Sequence, residues 1–554
     1  MELKTGRGSE SESARQGGKG REDKMWTTAS APTSHKGASP SPWTSRAASA
    51  QPQTSIEKLF MKKKRTPGLI TDVTRASCAS STSRSSIRRT SSTMTRRRRE
   101  TRDRSCVCRA ALGSNGGNGG GGPKKICILG GGFGGLYTAL RLSTLVWPGN
   151  NKPEISLVDM RDRFVFKPLL YELLTEELDL DEVAPRFENV LSNSGIKFVK
   201  GKVAGLRAKD EIGDDEEESK EQLGKVVLEN GSEIAYDYLV VAFGSGTKLD
   251  LVEGAREHAS PFCNLEDAIE LKSFLRSSRD DKKAKPTVAI VGGGVNGVEL
   301  AASLCDKYKN SINIQMLTPG GDILESYPKP QRQNAWNSLS LGRVDVRLGT
   351  KVTKVDVDPD SERYRLSVEN VEYGKDTLLA DKILWTAGQE PVPVPIVSKE
   401  GKGEEEGKES SFFVRNKNGN VLTDATLRMV GSSYVFALGD IAVQDGSQEK
   451  KLSLTAQVAF QQSDYVAWNV WSAINGQPLL PFQYQHLGDM MSLGASEATV
   501  ALPIGGLNLT GLPASLLRKS AYVYRMPTLE AGVKLGVNWA SKLIREQLQP
   551  SKLD

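Results

Sequence analysis

The stretch CILGGGFGGLYTALRL, Cys127–Leu142, returns about 160 residues later as AIVGGGVNGVELAASL, Ala289–Leu304. Each copy reads as a short apolar β-run, a G-x-G-x-x-G turn, and then small and apolar residues at helical spacing. The turn glycines are Gly130, Gly132 and Gly135 in the first copy and Gly292, Gly294 and Gly297 in the second. A turn without Cβ atoms lets a pyrophosphate reach the N–H groups at a helix N-terminus. One such motif is a weak signal. Two, each set between a strand and a helix, imply two dinucleotide sites.

Outward from each turn the resemblance between the halves continues. ISLVDMRD carries Asp159 24 residues beyond Gly135, where such a fold places the acid that accepts hydrogen bonds from a ribose. The equivalent run INIQMLTPGG has Thr318 where that acid would stand. No carboxylate there repels a 2′-phosphate, so NADPH suits the second site at least as well as NADH. No arginine follows closely, and Lys329 and Arg332 come late. YDYLVVAFGS (236–245) and DKILWTAGQ (381–389) form a second matched pair of β-run, small residue and glycine, expected to return beneath each dinucleotide. YVFALGDIA (434–442) is expected to be a buried strand ending in Gly439 and Asp440. The fold class is therefore α/β, with two Rossmann-like dinucleotide-binding domains. Flavin and nicotinamide are the economical pair, since a hydride passes directly from one ring to the other.

The formal net charge of +7 belongs to one end of the chain. Residues 1–110 carry 24 Lys and Arg against 9 Asp and Glu, which leaves 50 against 58 for the remainder. No basic, aromatic-interleaved patch survives outside the tail, so no nucleic-acid partner is expected. The tail is rich in Ser, Thr and Arg, poor in acids after Asp23, and has no secretory apolar core, a composition that suits an organellar transit peptide. Its alternative is a disordered arm that binds RNA or acidic lipid. GSNGGNGGGG then reads as a flexible linker. Six cysteines form no C-x-x-C and only three histidines occur, so a dithiol, zinc or histidine-based centre is not expected and a reducing compartment fits. AKDEIGDDEEESKEQ and SKEGKGEEEGKESS read as solvated hairpin tips.

The ordered series of the first turn, Asp159, KPLLYELL (167–174), GGGxxGVE, WTAG, ALGD and AQVAFQQ (456–462) resembles the type II NAD(P)H:quinone oxidoreductases, from about Lys125 onward. PLLYELL, VAPRFENVL, VAFQQSDYVAWNVW and LGDMMSLG look especially like the plant and algal C-type branch, which is directed to plastids and tied to plastoquinone and phylloquinone. That resemblance implies FAD at Gly130, Gly132, Gly135, Asp159, Gly244, Gly439 and Asp440. Asp440 would hold the ribityl chain and a backbone N–H near Gly439 would face the pyrophosphate. It implies NADPH or NADH at Gly292, Gly294, Gly297, Glu299 and Gly388, with Glu299 pointing toward both rings. Gln457 and Gln461, one helical turn apart in the AQ motif, would meet quinone carbonyls. Thr318 departs from the acid of NADH-preferring members, and the calcium-binding insertion of some relatives has no counterpart, so no metal is expected. A homodimer is expected by resemblance only.

No apolar run is long enough to span a bilayer. LPASLLRKSAYVYRMP and LEAGVKLGVNWASKLIREQL read instead as amphipathic helices. Val533, Val537, Ala540, Ile544 and Leu548 fall on one face of the second, with Trp539 and Tyr522 expected in the headgroup layer. The chain divides into residues 1–110 as a disordered transit peptide, 111–123 as linker, 124–284 as the first part of an FAD-binding domain and 285–395 as an NAD(P)H-binding domain. Residues 396–480 return to the FAD-binding domain, and 481–554 form a C-terminal membrane-associating region. A chloroplast location is expected, with the mitochondrion as alternative. Three other functions share parts of this pattern. A sulfide:quinone oxidoreductase would need Cys263 and Cys305 beside the flavin, a ferredoxin-type reductase would lack the AQ helix, and a redox sensor would bind flavin without turnover.

Overall fold

The computed structural model describes residues 122–209, 223–280, 285–395, 413–445, 452–503 and 505–548. Residues 1–110, expected to be a transit peptide, most of the expected linker and nearly all of both charge runs lie outside them. Along the chain, β1 (Lys125–Leu129) leads through the first glycine turn into α1 (Phe133–Thr144), followed by β2 (Glu154–Asp159), α2 (Leu170–Leu174), β3 (Lys197–Lys200), β4 (Tyr238–Val241), β5 (Ser245–Thr247) and β6 (Ser260–Pro261). The second half repeats the scheme with β7 (Thr287–Val291), α3 (Val295–Tyr308), β8 (Asn313–Leu317), α4 (Lys329–Leu341), β9 (Asp345–Arg347), β10 (Lys382–Trp385) and β11 (Gln389–Pro391). Then come β12 (Val435–Ala437), α5 (Ala456–Ile474), β13 (Asp489–Ser492), β14 (Ala498–Ala501), β15 (Asn508–Thr510), α6 (Gly511–Arg525) and α7 (Leu529–Leu548).

Two five-stranded parallel sheets result, in the orders β12-β4-β1-β2-β3 and β9-β8-β7-β10-β6. In both, the strand before the glycine turn is central and the matched return strand lies beside it, as the repeat of YDYLVVAFGS and DKILWTAGQ requires. The short runs KICIL and TVAIV are almost entirely buried because each sheet is covered on both faces. Ile126 and Ile128 face Leu136, Ala139 and Leu142 of α1, while Cys127 and Leu129 face the other way, toward Leu206 and Val226 of a small antiparallel sheet (203–207, 224–228, 233–236). Val288 and Ile290 likewise pack with Val298 and Ala301 of α3. Ala289 and Val291 meet Val352 and Leu366 of a second antiparallel sheet (350–357, 364–370, 374–380). Period-two alternation along a strand assigns the two faces.

The two halves are pinned by β5, which pairs antiparallel with β11. α5 lies against α1, where the Phe460 ring stands 4.3 Å from that of Tyr137 and 5.0 Å from that of Phe133. β13, β14 and β15 form an antiparallel sheet that α6 covers. α7 is tied on by Asn538, whose amide donates to both carboxylate oxygens of Glu182, at 2.7 and 2.8 Å. No described helix is long and apolar enough to cross a membrane.

Two expectations about the C-terminal helices are corrected. Trp539 is buried and Tyr522 half-buried, packed into the core beside Phe166, so neither ring is free for a headgroup layer. Trp539 belongs to the inner face of α7 with Leu535. Lys542 does not reach outward either, since its ammonium donates to the Glu176 and Glu177 carbonyls. Val533, Val537 and Ala540 do form an exposed face, continued by Leu529. The side chains of Ile544 and Leu548 lie outside the described residues.

Candidate active site

The glycines of both turns divide by what a Cβ would meet. At Gly130 (φ +95°) it would lie 2.4 Å from the Ala242 carbonyl oxygen, and at Gly135 1.9 Å from the Gly130 carbonyl oxygen. At Gly292 (φ +126°) it would lie 2.6 Å from Thr386 Oγ1, and at Gly297 2.1 Å from the Gly292 carbonyl oxygen. The first and third glycines are thus demanded by the packing of strand, turn and helix. The middle ones, Gly132 and Gly294, face open space at the N-caps of α1 and α3. Neither helix has a side-chain cap or an acidic residue in its first turn. Their free N–H groups and positive dipole ends are left for an anion, and the residues fit a diphosphate at each turn.

Asp159 sits at the end of β2 with Oδ2 accepting from Gly131 N at 2.6 Å and Oδ1 from Arg161 N at 2.8 Å. Burial raises its pKa, and those two N–H groups oppose the rise. It lies against the first turn, as a ribose acceptor must. Ser245 Oγ donates to Asp440 Oδ2 at 2.7 Å, bringing together the glycine turn after β4, with Gly244 at φ +73°, and the turn after β12. Gly439 (φ +75°) does not present its own N–H to a ligand, because that group donates to Gln462 Oε1 at 2.7 Å. Gly388 takes φ +74° and its carbonyl accepts from Lys248 N, which closes the second return strand against the β5 segment. Thr318 is buried against Gly293, and its N–H donates to the Arg347 carbonyl. Arg332 is committed to Asp322 at 2.5 Å. A carboxylate does reach this turn from further on, since Glu325 Oε1 accepts from Gly321 N at 2.9 Å.

Glu299, two residues past Gly297, is buried between α3 and the C-terminal layer. Its Oε1 accepts from Ser492 N at 2.8 Å, and Tyr171 of α2 is a second hydrogen-bond partner. Burial pushes its pKa up to about 7, opposed by the Ser492 N–H and by Arg518 and reinforced by Glu172. Arg518 of α6 is 1% exposed, donates to Glu172 Oε1 at 2.7 Å, and stands over the Tyr522 ring at 5.2 Å. Sequence reasoning quoted Tyr171, Glu172 and Arg518 without assigning them a role. The available signal was phase, because Ala514, Arg518 and Tyr522 are spaced four apart and so share one side of α6. A charge in that row has to find a buried partner.

Gln457 and Gln461 share one face of α5, as their spacing requires, and both amides are bonded to the segment before β13. Gln457 Nε2 donates to the Gly488 carbonyl at 3.0 Å, and Gln461 Nε2 to that of Gln485 at 2.7 Å. Cys127 and Cys305 are buried and Cys263 half-buried. Burial raises the thiol pKa of Cys305 to about 11 and lifts that of Cys263 as well, which leaves both in the thiol form.

The family model described as pyridine nucleotide-disulphide oxidoreductase matches residues 124–463. The chain is 42% identical over 430 residues to the alternative NAD(P)H-ubiquinone oxidoreductase C1, chloroplastic/mitochondrial, of Arabidopsis thaliana, covering 76% of this chain and 80% of that one. It is 38% identical over 426 residues to the demethylphylloquinone reductase NdbB of Synechocystis sp., covering 77% and 98%. Among solved structures, NDH2 from Plasmodium falciparum in complex with NADH superposes with a TM-score of 0.60 at 17% identity, covering 75% and 97%, a likeness of fold. With two glycine cradles, an acid at the first and a buried carboxylate beside the second, the chain belongs to the pyridine nucleotide-disulphide oxidoreductases and, within them, to the type II NAD(P)H:quinone oxidoreductases.

Proposed function

We propose that the protein is an FAD-dependent NAD(P)H:quinone oxidoreductase that moves no protons across a membrane. The observation that carries the reading is the pair of cradles, each with its middle glycine open and its helix N-terminus uncapped. The chemistry supplied by bound FAD is acceptance of a hydride and its return as two electrons to a quinone, which no side chain offers. The first turn, Asp159, Gly244 and the Ser245–Asp440 pair hold FAD, with Gly439 shaping the turn. The second turn and Gly388 hold NAD(P)H. Glu299 orients the donor and exchanges a proton near neutral pH, since both of its forms are populated there. Thr318 leaves the end of β8 without the acid that would repel the 2′-phosphate of NADPH, and Glu325, which accepts from Gly321 N, is a carboxylate at this turn that such a phosphate has to pass.

Anaerobic stopped-flow on the FAD-loaded protein tests this. NADPH or NADH should bleach the flavin absorbance, and a plastoquinone analogue should restore it. Bleaching without recovery would point to a protein acceptor, and no bleaching would leave a flavin-binding sensor.

The natural quinone is of the plastoquinone or phylloquinone type and the location is the chloroplast, on a thylakoid or plastoglobule surface. This follows the resemblance to the plastid branch and the plant and cyanobacterial relatives. A homodimer is carried by the same resemblance. Membrane docking is supported by the exposed apolar row Leu529, Val533 and Val537 of α7, with Leu512 and Leu516 of α6 also exposed. Deleting everything after Thr510 would also strip Arg518 from its buried partner, so surface substitutions are the cleaner test. Val533→Glu with Val537→Glu should lower co-sedimentation with anionic lipid vesicles roughly tenfold or more while flavin content is kept. Unchanged co-sedimentation would place the contact elsewhere.

A further inference from the structure

The segment that joins α5 to β13 carries a chain of hydrogen bonds ending at the AQ helix. Gln457 Nε2 donates to the Gly488 carbonyl, and Oε1 accepts from Leu487 N at 2.9 Å. These two main-chain partners fix which end of the amide is the oxygen. Tyr484, whose hydroxyl lies 2.6 Å from that Oε1, therefore spends its one proton there. His486 Nδ1 is 3.2 Å from the same hydroxyl oxygen and is left to donate to it. The other ring nitrogen, Nε2, faces Asp489 Oδ2 at 3.4 Å. Both nitrogens thus meet oxygen acceptors, an arrangement complete only when the ring carries both protons. The His486 side chain is 48% exposed and exchanges protons with water. From solvent inward the order is His486, Tyr484, Gln457.

The reaction consumes one proton from solution: NAD(P)H + H⁺ + quinone gives NAD(P)⁺ + quinol. One quinol hydrogen derives from the donor's hydride and the other from water. We propose that His486 and Tyr484 carry this second proton to the quinone, and that Gln457 and Gln461 are positioning residues that hold the carrier segment against α5. The proposal rests on the functional reading above, which places the quinone beside Gln457. The Tyr484 O–H turns from Gln457 Oε1 to a quinone carbonyl oxygen and transfers its proton as that oxygen takes up an electron pair. His486 Nδ1–H then reprotonates the phenolate, and water restores His486. Burial and the neighbouring Asp489 hold the Tyr484 hydroxyl above its usual range, so it keeps its proton at rest. Among the described residues, the titratable groups facing this segment are Asp489 on β13, Tyr327 ahead of α4, and Glu299 on α3. α5 turns the Gln457 and Gln461 amides to it, and its Tyr465 ring packs edge-on against Phe482 at 5.2 Å.

The test uses FAD-loaded full-length protein and the variants Tyr484→Phe and His486→Ala. Donor-driven bleaching, quinone-driven recovery and quinone affinity are each measured from pH 5.5 to 9, with affinity read from quenching of flavin fluorescence. In the unaltered protein the recovery rate should fall as the pH rises. Both variants should bleach normally and recover about 10- to 100-fold more slowly, a loss larger than any loss of quinone affinity. The His486→Ala profile should be flat, and added imidazole should restore part of its rate. Recovery in both variants at the original rate and pH profile would overturn the relay. So would lost quinone affinity with the pH profile intact, which would make the segment a structural clamp. If the unaltered protein itself is not reoxidised by quinone, the functional reading fails and the relay with it, a result distinct from loss in the variants alone.

Discussion

Gly294→Ala is expected to give a folded, FAD-loaded protein whose KM for NAD(P)H is raised tenfold or more, about 1.4 kcal/mol of lost binding at the least. A Cβ at Gly294 meets no atom within 4 Å, so the chain tolerates it, but it projects from the N-cap of α3 where the donor's pyrophosphate has to approach. Gly297→Ala should behave differently. Its Cβ would fall 2.1 Å from the Gly292 carbonyl oxygen and 2.9 Å from Thr386 Oγ1, and backbone there cannot step aside. The helix must shift off β7, at a cost of roughly 1–3 kcal/mol or more, with a melting temperature lower by several degrees. Thermal unfolding and steady-state kinetics on both variants separate the two outcomes. Donor affinity unchanged in Gly294→Ala would remove the second turn from the donor site. The same contrast, read as flavin content, applies to Gly132 and Gly135.

Stability should fall with rising pH through Glu299, and Glu299→Gln should abolish that fall. The folded-state pKa is raised from 4.5 to about 7, mainly by burial. Below pH 4.5 both folded and unfolded chains hold the proton and no penalty exists. Between pH 4.5 and 7 the unfolded chain ionises while the folded one does not, and stability declines. Above pH 7 the folded carboxylate is ionised in a buried site and the loss is complete, at up to about 3 kcal/mol. The glutamine keeps an oxygen to accept from Ser492 N and never ionises. Melting temperatures of the two proteins should therefore coincide near pH 4 and separate by several degrees by pH 8, with the variant higher. Parallel curves across that range would mean that folding leaves the Glu299 pKa unshifted.

Much of the site was legible because its chemistry is local. The strand, glycine turn and helix N-terminus proposed to hold a pyrophosphate occupy consecutive residues, and Asp159 follows on the next strand, so spacing alone nominates them. The i, i+4 relation of Gln457 and Gln461 also survives folding, since helix geometry sets it. The partners of those amides were not legible. Gly488 and Gln485 reach them through the path of a non-helical segment, and Gln462, read only as part of the AQ run, takes the N–H of Gly439. The exposed row on α7 was readable from periodicity, whereas the placement of Trp539 was not, because a wide amphipathic helix offers several borders and packing against the short helix Leu180–Val183 and α6 selects one.

By itself the sequence determined the duplicated α/β plan, the two cradles and the chemistry they serve, because each depends on short-range backbone geometry that glycine and alternating apolar residues impose. Only the tertiary structure decided the environment of Glu299. Its hydrogen-bond donor comes from Ser492, its opposing charge from Arg518 and its like charge from Glu172, on three elements far apart in the chain. The same holds for the row from His486 through Tyr484 to Gln457. Proton affinity and proton transfer depend on burial and on distances of about 3 Å between groups that spacing along a chain does not encode.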